Sequence, residues 1–335
     1  MAINTAVLLI NLGTPDRPTR VAVGKFLSEF LGDGRILDLP YIFRKLLVNL
    51  VIVPFRAGKS AKMYRKVWSE NGSPILYNTQ RLADKLQQKS TDKCEVFMAM
   101  RYGRPSLDAV LSEIEQRKFG RLIIVPLFPH YASATSGTII EKTLRLINRW
   151  DFIPGIKIIS GFYKDPLFIK AWTEKIRKAN FDEYDHILFS YHGLPERHVE
   201  RTHQNRPCSE LNCTFEINAG NQGCYRAQCY EHTRIIAGAL KLPDDKYTVC
   251  FQSRFGKRWL SPFTEDLTLQ KAKSGIKKLM IVPMSFVADC LETIVEIDME
   301  YRELFIANDG EKFKMVESLN ADDLWVESLK SMTDC

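Results

Sequence analysis

Arg121-Leu-Ile-Ile-Val-Pro-Leu-Phe128 resembles Lys278-Leu-Met-Ile-Val-Pro-Met-Ser285, a faint internal echo. Each has a basic residue, four apolar residues and a proline, and each is followed by a small polar turn and a helix-period segment. Continuously apolar strands of this kind belong to parallel sheets covered by helices on both faces. Outward from this pair the same alternation continues. Strands are predicted at Ala6–Leu12, Glu95–Met100, Ile156–Ile159, His186–Tyr191 and Tyr247–Gln252. Helices are predicted at Val21–Leu31, Gln80–Lys89, Ser106–Arg117, Thr138–Trp150, Pro166–Ala179, Tyr230–Leu240 and Asp289–Phe305. Ile10-Asn-Leu-Gly13 and Ser190-Tyr-His-Gly193 close the first strand of each half. The expected fold class is α/β, with two doubly wound halves and parallel sheets, at residues 1–150 and 151–335, joined near 151–165. In such folds ligands bind beyond the carboxyl ends of the strands.

The chain has 335 residues, 45% hydrophobic and 26% charged, a globular composition that excludes a disordered protein. The longest apolar run, Leu46 to Phe55, is broken by Asn49 and falls short of the ~20 residues of a spanning helix. No basic region precedes the first apolar segment, so the expected compartment is the cytoplasm, where structural disulfides are rare. The formal charge is +7. Between Asp38 and Glu70 there is no acidic residue, while Arg44, Lys45, Arg56, Lys59, Lys62, Arg65 and Lys66 alternate with aliphatic and aromatic residues. Such a stretch suits an anionic membrane surface or an apolar ligand bearing carboxylates; the plainer reading is a buried helix followed by a solvated basic one. Nucleic-acid motifs are absent, as are the glycine fingerprints of dinucleotide and P-loop sites and the Gly-x-Ser-x-Gly elbow.

The chemistry concentrates in Asp289-Cys-Leu-Glu-Thr-Ile-Val-Glu-Ile-Asp-Met-Glu-Tyr301. At about 100° per residue, with Asp289 at zero, Glu292 falls near 300°, Glu296 near 340° and Glu300 near 20°. Four carboxylates share one narrow stripe, and apolar residues fill most of the remaining circumference. A helix of that kind is buried, so the stripe is expected to face an interior cavity. Like charges so placed require protons, arginines or a metal cation. The plainer reading, a solvated face, normally mixes signs, and this stripe contains no base. His192 closes the strand His186–Tyr191, where a neutral imidazole suits a divalent metal or a base working near pH 7; alone it also reads as a structural histidine.

Cys208, Cys213, Cys224 and Cys229 lie within 22 residues, in an insert spanning 205–230. That density points to a metal site, either structural zinc or an iron–sulfur cluster; a pair of disulfides is the plainer alternative. Cys94, Cys250, Cys290 and Cys335 read as isolated thiols.

Ser190-Tyr-His-Gly-Leu-Pro195, Phe251-Gln-Ser-Arg-Phe-Gly-Lys-Arg-Trp-Leu-Ser-Pro262 and Phe286-Val-Ala-Asp-Cys-Leu-Glu-Thr293 closely resemble the ferrochelatases, which insert ferrous iron into a porphyrin. Leu9-Ile-Asn-Leu-Gly-Thr-Pro-Asp16, Met63-Tyr-Arg-Lys66, Gly72-Ser-Pro-Ile75 and Arg101-Tyr-Gly103 resemble that family's amino-terminal half, and the likeness runs from about residue 5 to 310. It implies two Rossmann-like domains, Fe2+ and protoporphyrin IX as substrates, and protohaem as product. His192 and Glu292 are implied as the catalytic pair at the metal, and Asp289, Glu296 and Glu300 as a continuing acidic track. Leu12, Tyr64, Ser73, Arg101, Tyr102 and Trp259 are implied at the porphyrin. Cys290 stands where many members have histidine. The cysteine segment resembles one that holds a [2Fe-2S] cluster in some bacterial members, which implies Cys208, Cys213, Cys224 and Cys229 as ligands, with zinc as the alternative. The other readings of the whole chain are a coproporphyrin chelatase, a cobalt chelatase and a noncatalytic porphyrin carrier. A carrier has no use for aligned carboxylates. The apolar segment at 39–55 is expected to form a lip that touches a membrane peripherally.

Overall fold

The computed structural model describes residues 4–203 and 206–335. Residues 1–3, at the start of the first expected domain, and residue 205, the first of the expected cysteine insert, lie outside the described residues. The chain divides into two compact units, one of Met1–Phe128, Ser133–Gly161 and Leu329–Cys335, the other of Pro129–Ala132 and Phe162–Ser328.

The first unit holds β1 (Thr5–Thr14), β2 (Cys94–Gly103), β3 (Arg121–Pro126) and β4 (Gly155–Ile158), all parallel, in the order β2-β1-β3-β4. The second holds β5 (His186–His192), β6 (Tyr247–Gln252), β7 (Lys278–Pro283) and β8 (Lys312–Met315), again parallel, in the order β6-β5-β7-β8. The two similar segments are thus β3 and β7, the third strand of each unit, and both sheets place their second strand beside their first. The internal echo is one of topology as well as composition.

Apolar burial fixes the central strands. Ala6 to Ile10 of β1 are completely buried, and Ala6, Leu8 and Ile10, on one face, join Ala99, Leu111, Ile114, Ile124 and Ile139 in the first core. Leu188, Leu279, Ile281, Ile297, Phe305 and Phe313 build the second. Three helices start at a side-chain cap: the hydroxyls of Thr19 and Ser106 and the Asp165 carboxylate accept from the Ala22, Ala109 and Phe168 amides. At the end of β1, Gly13 has φ +119°, and a Cβ there would lie 1.8 Å from the Tyr102 carbonyl oxygen. Only glycine lets β1 and β2 close in this way.

Several expectations are corrected. The helix predicted over Asp289–Phe305 is a π-helical segment, Glu292–Tyr301, followed by an α-helical turn and more, Arg302–Ile306. Its i to i+5 hydrogen bonds widen each turn, so the 3.6-residue wheel does not describe it. Cys94 and Cys335 are not isolated thiols but are disulfide-bonded across 241 positions. Cys250 and Cys290 are free and buried. The apolar segment after Leu39 forms the helix Tyr41–Leu46, a π-helical turn Leu47–Ile52 and the helix Val53–Val67. It is not a buried helix: Ile42, Phe43, Leu50 and Phe55 are 67–80% exposed.

Candidate functional site

In the second unit the ends of β5, β6 and β7 converge on His192, where doubly wound sheets place their ligands. The imidazole is half-buried. Its Nδ1 lies 2.7 Å from the Gly193 carbonyl oxygen. A carbonyl can only accept, so Nδ1 carries the proton and Nε2 of the neutral ring keeps its lone pair. The main chain of His192 is held in a closed ring of hydrogen bonds. Its amide donates to Ser285 Oγ at 3.0 Å, Tyr225 Oη donates to its carbonyl at 2.9 Å, and the two hydroxyls lie 2.9 Å apart. Gly193 follows because a Cβ there would lie 2.8 Å from the Gln252 carbonyl oxygen and 3.4 Å from the Trp259 ring. Trp259 is half-buried and is bridged to Pro195.

The carboxylates of the stripe have different environments. Asp289 precedes the π-helical segment and is buried; it accepts from the Ser318 amide (3.0 Å), Asn320 Nδ2 (2.7 Å) and Thr293 Oγ1 (3.2 Å). Glu292 is half-buried against the Cys290 thiol, which burial and then this carboxylate push up. Glu296 is half-buried and accepts from the Ser253 amide at 2.7 Å, from the Ser253 hydroxyl, and from Tyr301 Oη at 2.6 Å. Burial, followed by the Glu296 charge, pushes the Tyr301 phenol well up. Ser253, at the end of β6, sits in the left-handed region at φ 61°, a backbone cost carried to present both its donors to one carboxylate. Glu300 is exposed. The single interior-facing stripe expected from the sequence is therefore one buried, two half-buried and one exposed carboxylate.

In the first unit, Arg101 and Tyr102 meet at a residue that sequence reasoning missed, Asp33. The Asp33 carboxylate pairs with the Arg101 guanidinium and accepts from Tyr102 Oη (2.9 Å) and Thr138 Oγ1 (2.6 Å). Although burial opposes it, these donors and the Arg101 charge hold the Asp33 carboxyl below its ordinary value. Arg101 also stacks over the Tyr102 ring at 4.4 Å. Tyr102 is fully buried, so its ring lies beneath Arg101 and presents no surface of its own. Ser73, also buried, accepts from Thr14 Oγ1 at 2.8 Å, two residues beyond half-buried Leu12. Tyr64 is buried against Phe26 and Trp68. An open cavity of about 790 Å³ lies beside Arg101, its lining mixing the bases Arg35, Arg44, Arg145 and Arg149 with the carboxylates of Asp33 and Glu141.

The cysteine segment folds around Asn221, whose buried amide donates to the Leu211 and Glu216 carbonyls at 2.8 and 2.9 Å. Cys208, Cys213 and Cys224 come together with His203, and the four ligand atoms all lie within 4.8 Å of one another. Hydrogen bonding from Cys224 leads the effects that bring the Cys208 thiol down to about 7. Cys229 is not in the group. It lies four residues beyond Tyr225 on the helix Tyr225–Leu240, fully buried and hydrogen-bonded to that residue, and burial pushes its thiol up. Residues four apart share a helix face, and five apart do not, so Cys229 follows Tyr225 and turns away from Cys224. The signal for His203 was present in the spacing His203-x4-Cys208-x4-Cys213, since mixed His and Cys sets are common among metal ligands.

Comparison with known proteins agrees with this arrangement. SirB from Bacillus subtilis with Fe3+ superposes with a TM-score of 0.56 at 11% identity, covering 98% of this chain and 93% of that one. The sirohydrochlorin chelatase SirB from Bacillus subtilis subspecies spizizenii in complex with cobalt gives 0.54 at 11% identity, covering 99% and 94%. The architecture is that of the α/β chelatases. A family profile described as Ferrochelatase matches residues 4–334. Ferrochelatase from Legionella pneumophila (strain Lens) is 43% identical over 329 residues, 98% of each chain. Ferrochelatase from Coxiella burnetii (strain RSA 493 / Nine Mile phase I) is 40% identical over 330 residues, 97% of this chain and 92% of the relative. The chain belongs to the ferrochelatase family. It is an enzyme that inserts ferrous iron into a porphyrin to make protohaem.

Proposed function

We propose that His192 is the base that removes the pyrrole protons of protoporphyrin IX and that Glu292, with His192, positions the entering Fe2+. The observation that carries this reading is the bond from Nδ1 to the Gly193 carbonyl, which leaves the Nε2 lone pair as the imidazole's one proton acceptor. The reaction balances without redox chemistry. The macrocycle gives up two N–H protons, takes one dication at its nitrogens and leaves neutral, while two protons pass to the protein and to water. Few and labile protein ligands suit a site that must release its ion; oxygen and imidazole ligands discriminate weakly among iron, zinc and copper.

Half-buried Glu292 and Glu296 and exposed Glu300 run from interior to solvent, which supports a path for metal entry or proton exit. Asp289 is saturated by three donors, which supports a bracing role within that track. Trp259, packed beside Gly193, would offer an aromatic face to the macrocycle next to the proposed base, and the Phe286 ring lies 6.1 Å from the imidazole. Leu12, Tyr64, Ser73, Arg101 and Tyr102 would shape the macrocycle's surroundings in the first unit.

The exposed apolar residues between Tyr41 and Phe55, followed by exposed Lys59, Lys62, Arg65 and Lys66, support peripheral attachment to an anionic membrane from the cytoplasm. Among the described residues no helix is long and apolar enough to cross a membrane. Sedimentation with anionic vesicles tests this, and failure to enrich would remove it. For the cofactor, the three gathered thiols support a resident metal group, while the position of Cys229 does not support the four-thiolate [2Fe-2S] set.

The deciding experiment for the catalytic reading is an insertion assay with Fe2+ and both protoporphyrin IX and coproporphyrin III. The wild type should favour protoporphyrin. His192→Ala should lose metallation yet still quench porphyrin fluorescence on binding. Near-normal turnover in that variant would remove His192 from the chemistry.

A further inference from the structure

We infer that His203, Cys208, Cys213 and Cys224 form a preorganised site for one tetrahedral metal ion of zinc's chemical class. This differs from the two-iron cluster implied by the family resemblance, and it excludes Cys229.

The donor spacing is the first ground. Cys208 Sγ lies 3.8 Å from Cys224 Sγ and 4.0 Å from His203 Nε2, and Cys213 Sγ lies 3.7 Å from the same nitrogen. A tetrahedron with metal–sulfur bonds of about 2.3 Å has edges of about 3.8 Å. A two-iron cluster instead divides its protein ligands into two pairs on separate metals, and ligand atoms of different pairs stand farther apart than those of one pair. Here all four ligand atoms fall within 4.8 Å of one another, as ligands of a single centre do.

The ligand chemistry is the second ground. Three thiolates and one imidazole form a closed structural zinc set, with no position left for a substrate. Binding follows M2+ plus three thiols giving three released protons and a complex of charge −1. The Arg226 charge acts on Cys208 and offsets that charge. The ion offsets two of the three thiolate charges, which lowers the desolvation cost of the buried complex. All four ligand residues are at most 9% exposed, so the site is shielded from exchange.

The loop is the third ground. Asn221 ties residues 211, 216 and 218 together and accepts from the last of these at 2.7 Å, and the Cys224 amide donates back to the Asn221 carbonyl at 2.8 Å. These hydrogen bonds are made within the segment itself and need no ion. Cys224 then caps the helix that begins at Tyr225, so an ion would fasten the loop to that helix.

The test uses the full chain. Metal content as purified, and zinc titration of the metal-free reduced protein against a chromogenic chelator, should both give one ion per chain. Substitution with Co2+ should give the visible bands of a tetrahedral thiolate-rich centre. His203→Ala and Cys208→Ser should weaken zinc binding by at least tenfold, and Cys229→Ser should leave it within twofold. His203→Cys should rebind cobalt with shifted bands, which separates loss of a ligand from loss of fold. Two irons with two labile sulfides per chain would overturn the inference. So would loss of metal in Cys229→Ser with retention in His203→Ala, or failure of the reduced protein to bind zinc. Iron insertion into porphyrin is measured separately, so the outcome does not depend on the role proposed for His192.

Discussion

The hydroxyl of Tyr225 donates to the main-chain carbonyl of His192 at 2.9 Å, and Tyr225 directly follows Cys224 in the chain. One residue therefore joins the cysteine segment to the proposed base. With Ser285 it closes a ring that takes up both main-chain polar groups of His192. Removing the hydroxyl leaves a carbonyl unpaired and lets the imidazole drift. A hydrogen bond of this kind contributes about 1–1.5 kcal/mol, or about tenfold in rate if it acts on orientation. Tyr225→Phe should lower kcat by about tenfold with KM for porphyrin nearly unchanged. A rise in KM at constant kcat would show that Tyr225 shapes binding and not the base.

Gly193 offers a second, independent handle on the same histidine. A methyl group there meets the Gln252 carbonyl oxygen at 2.8 Å, and that oxygen already accepts from the Gly193 amide at 2.8 Å. Neither partner is flexible, so β5 and β6 must part at their ends. Gly193→Ala should cost at least tenfold in kcat and about 1–3 kcal/mol in stability, the usual range for overpacking. Urea unfolding and steady-state metallation measure the two effects. A fully active, fully stable variant would mean the strand end is softer than its geometry implies.

The fold was legible because central parallel strands are apolar on both faces, and β1, β3, β5 and β7 show that in any window. β8 was not. Its Lys312-Phe-Lys-Met315 alternates exposed and buried residues at a sheet edge and is too short to register. His192, the proposed base, was legible as a polar residue at the end of an apolar strand. The environments of the carboxylates were not, because Asp289 is saturated by Ser318 and Asn320, about thirty positions away, and the π-helical turns of Glu292–Tyr301 carry no periodicity of their own in sequence. Asp33 and the Cys94–Cys335 bond were hidden for the same reason: their partners are joined only by the completed fold.

A pair of buried imidazoles predicts how stability depends on pH. His130 Nε2 and His232 Nδ1 lie 3.0 Å apart inside the second unit. Burial drives His130 well below the ordinary histidine value and brings His232 down to about 3; His186, by burial and then the Lys271 charge, comes down to about 4. All three stay neutral in the folded protein at pH values where the unfolded chain, titrating near 6.5, is protonated. The unfolded state then binds more protons, so stability is full above about pH 6.5 and falls as the pH drops below it. The slope should approach about 4 kcal/mol per pH unit for three such groups. Urea midpoints between pH 7 and 5 measure it, above the range where most carboxylates titrate. A flat profile would mean these rings are protonated or solvated in the native state.

Asp289 and Glu292 are three residues apart but should respond in opposite ways to loss of charge. Asp289 accepts three hydrogen bonds, two of them from the segment at Ser318 and Asn320. Asparagine there keeps one oxygen but turns an amide N–H toward groups that also donate. Asp289→Asn should therefore cost about 2–3 kcal/mol of stability, read as a lower urea midpoint, while kcat per folded molecule stays within about threefold. Among the described residues Glu292 meets the Cys290 thiol and no set of donors like that around Asp289, and its carboxylate is the one proposed to face the metal. Glu292→Gln should leave the midpoint nearly unchanged and lower metallation by at least a hundredfold, with porphyrin binding retained. If Asp289→Asn instead abolishes metallation at unchanged stability, the buried carboxylate is a working member of the track and its three donors tune it. If Glu292→Gln turns over normally, the ion is held elsewhere and the pairing of His192 with Glu292 fails.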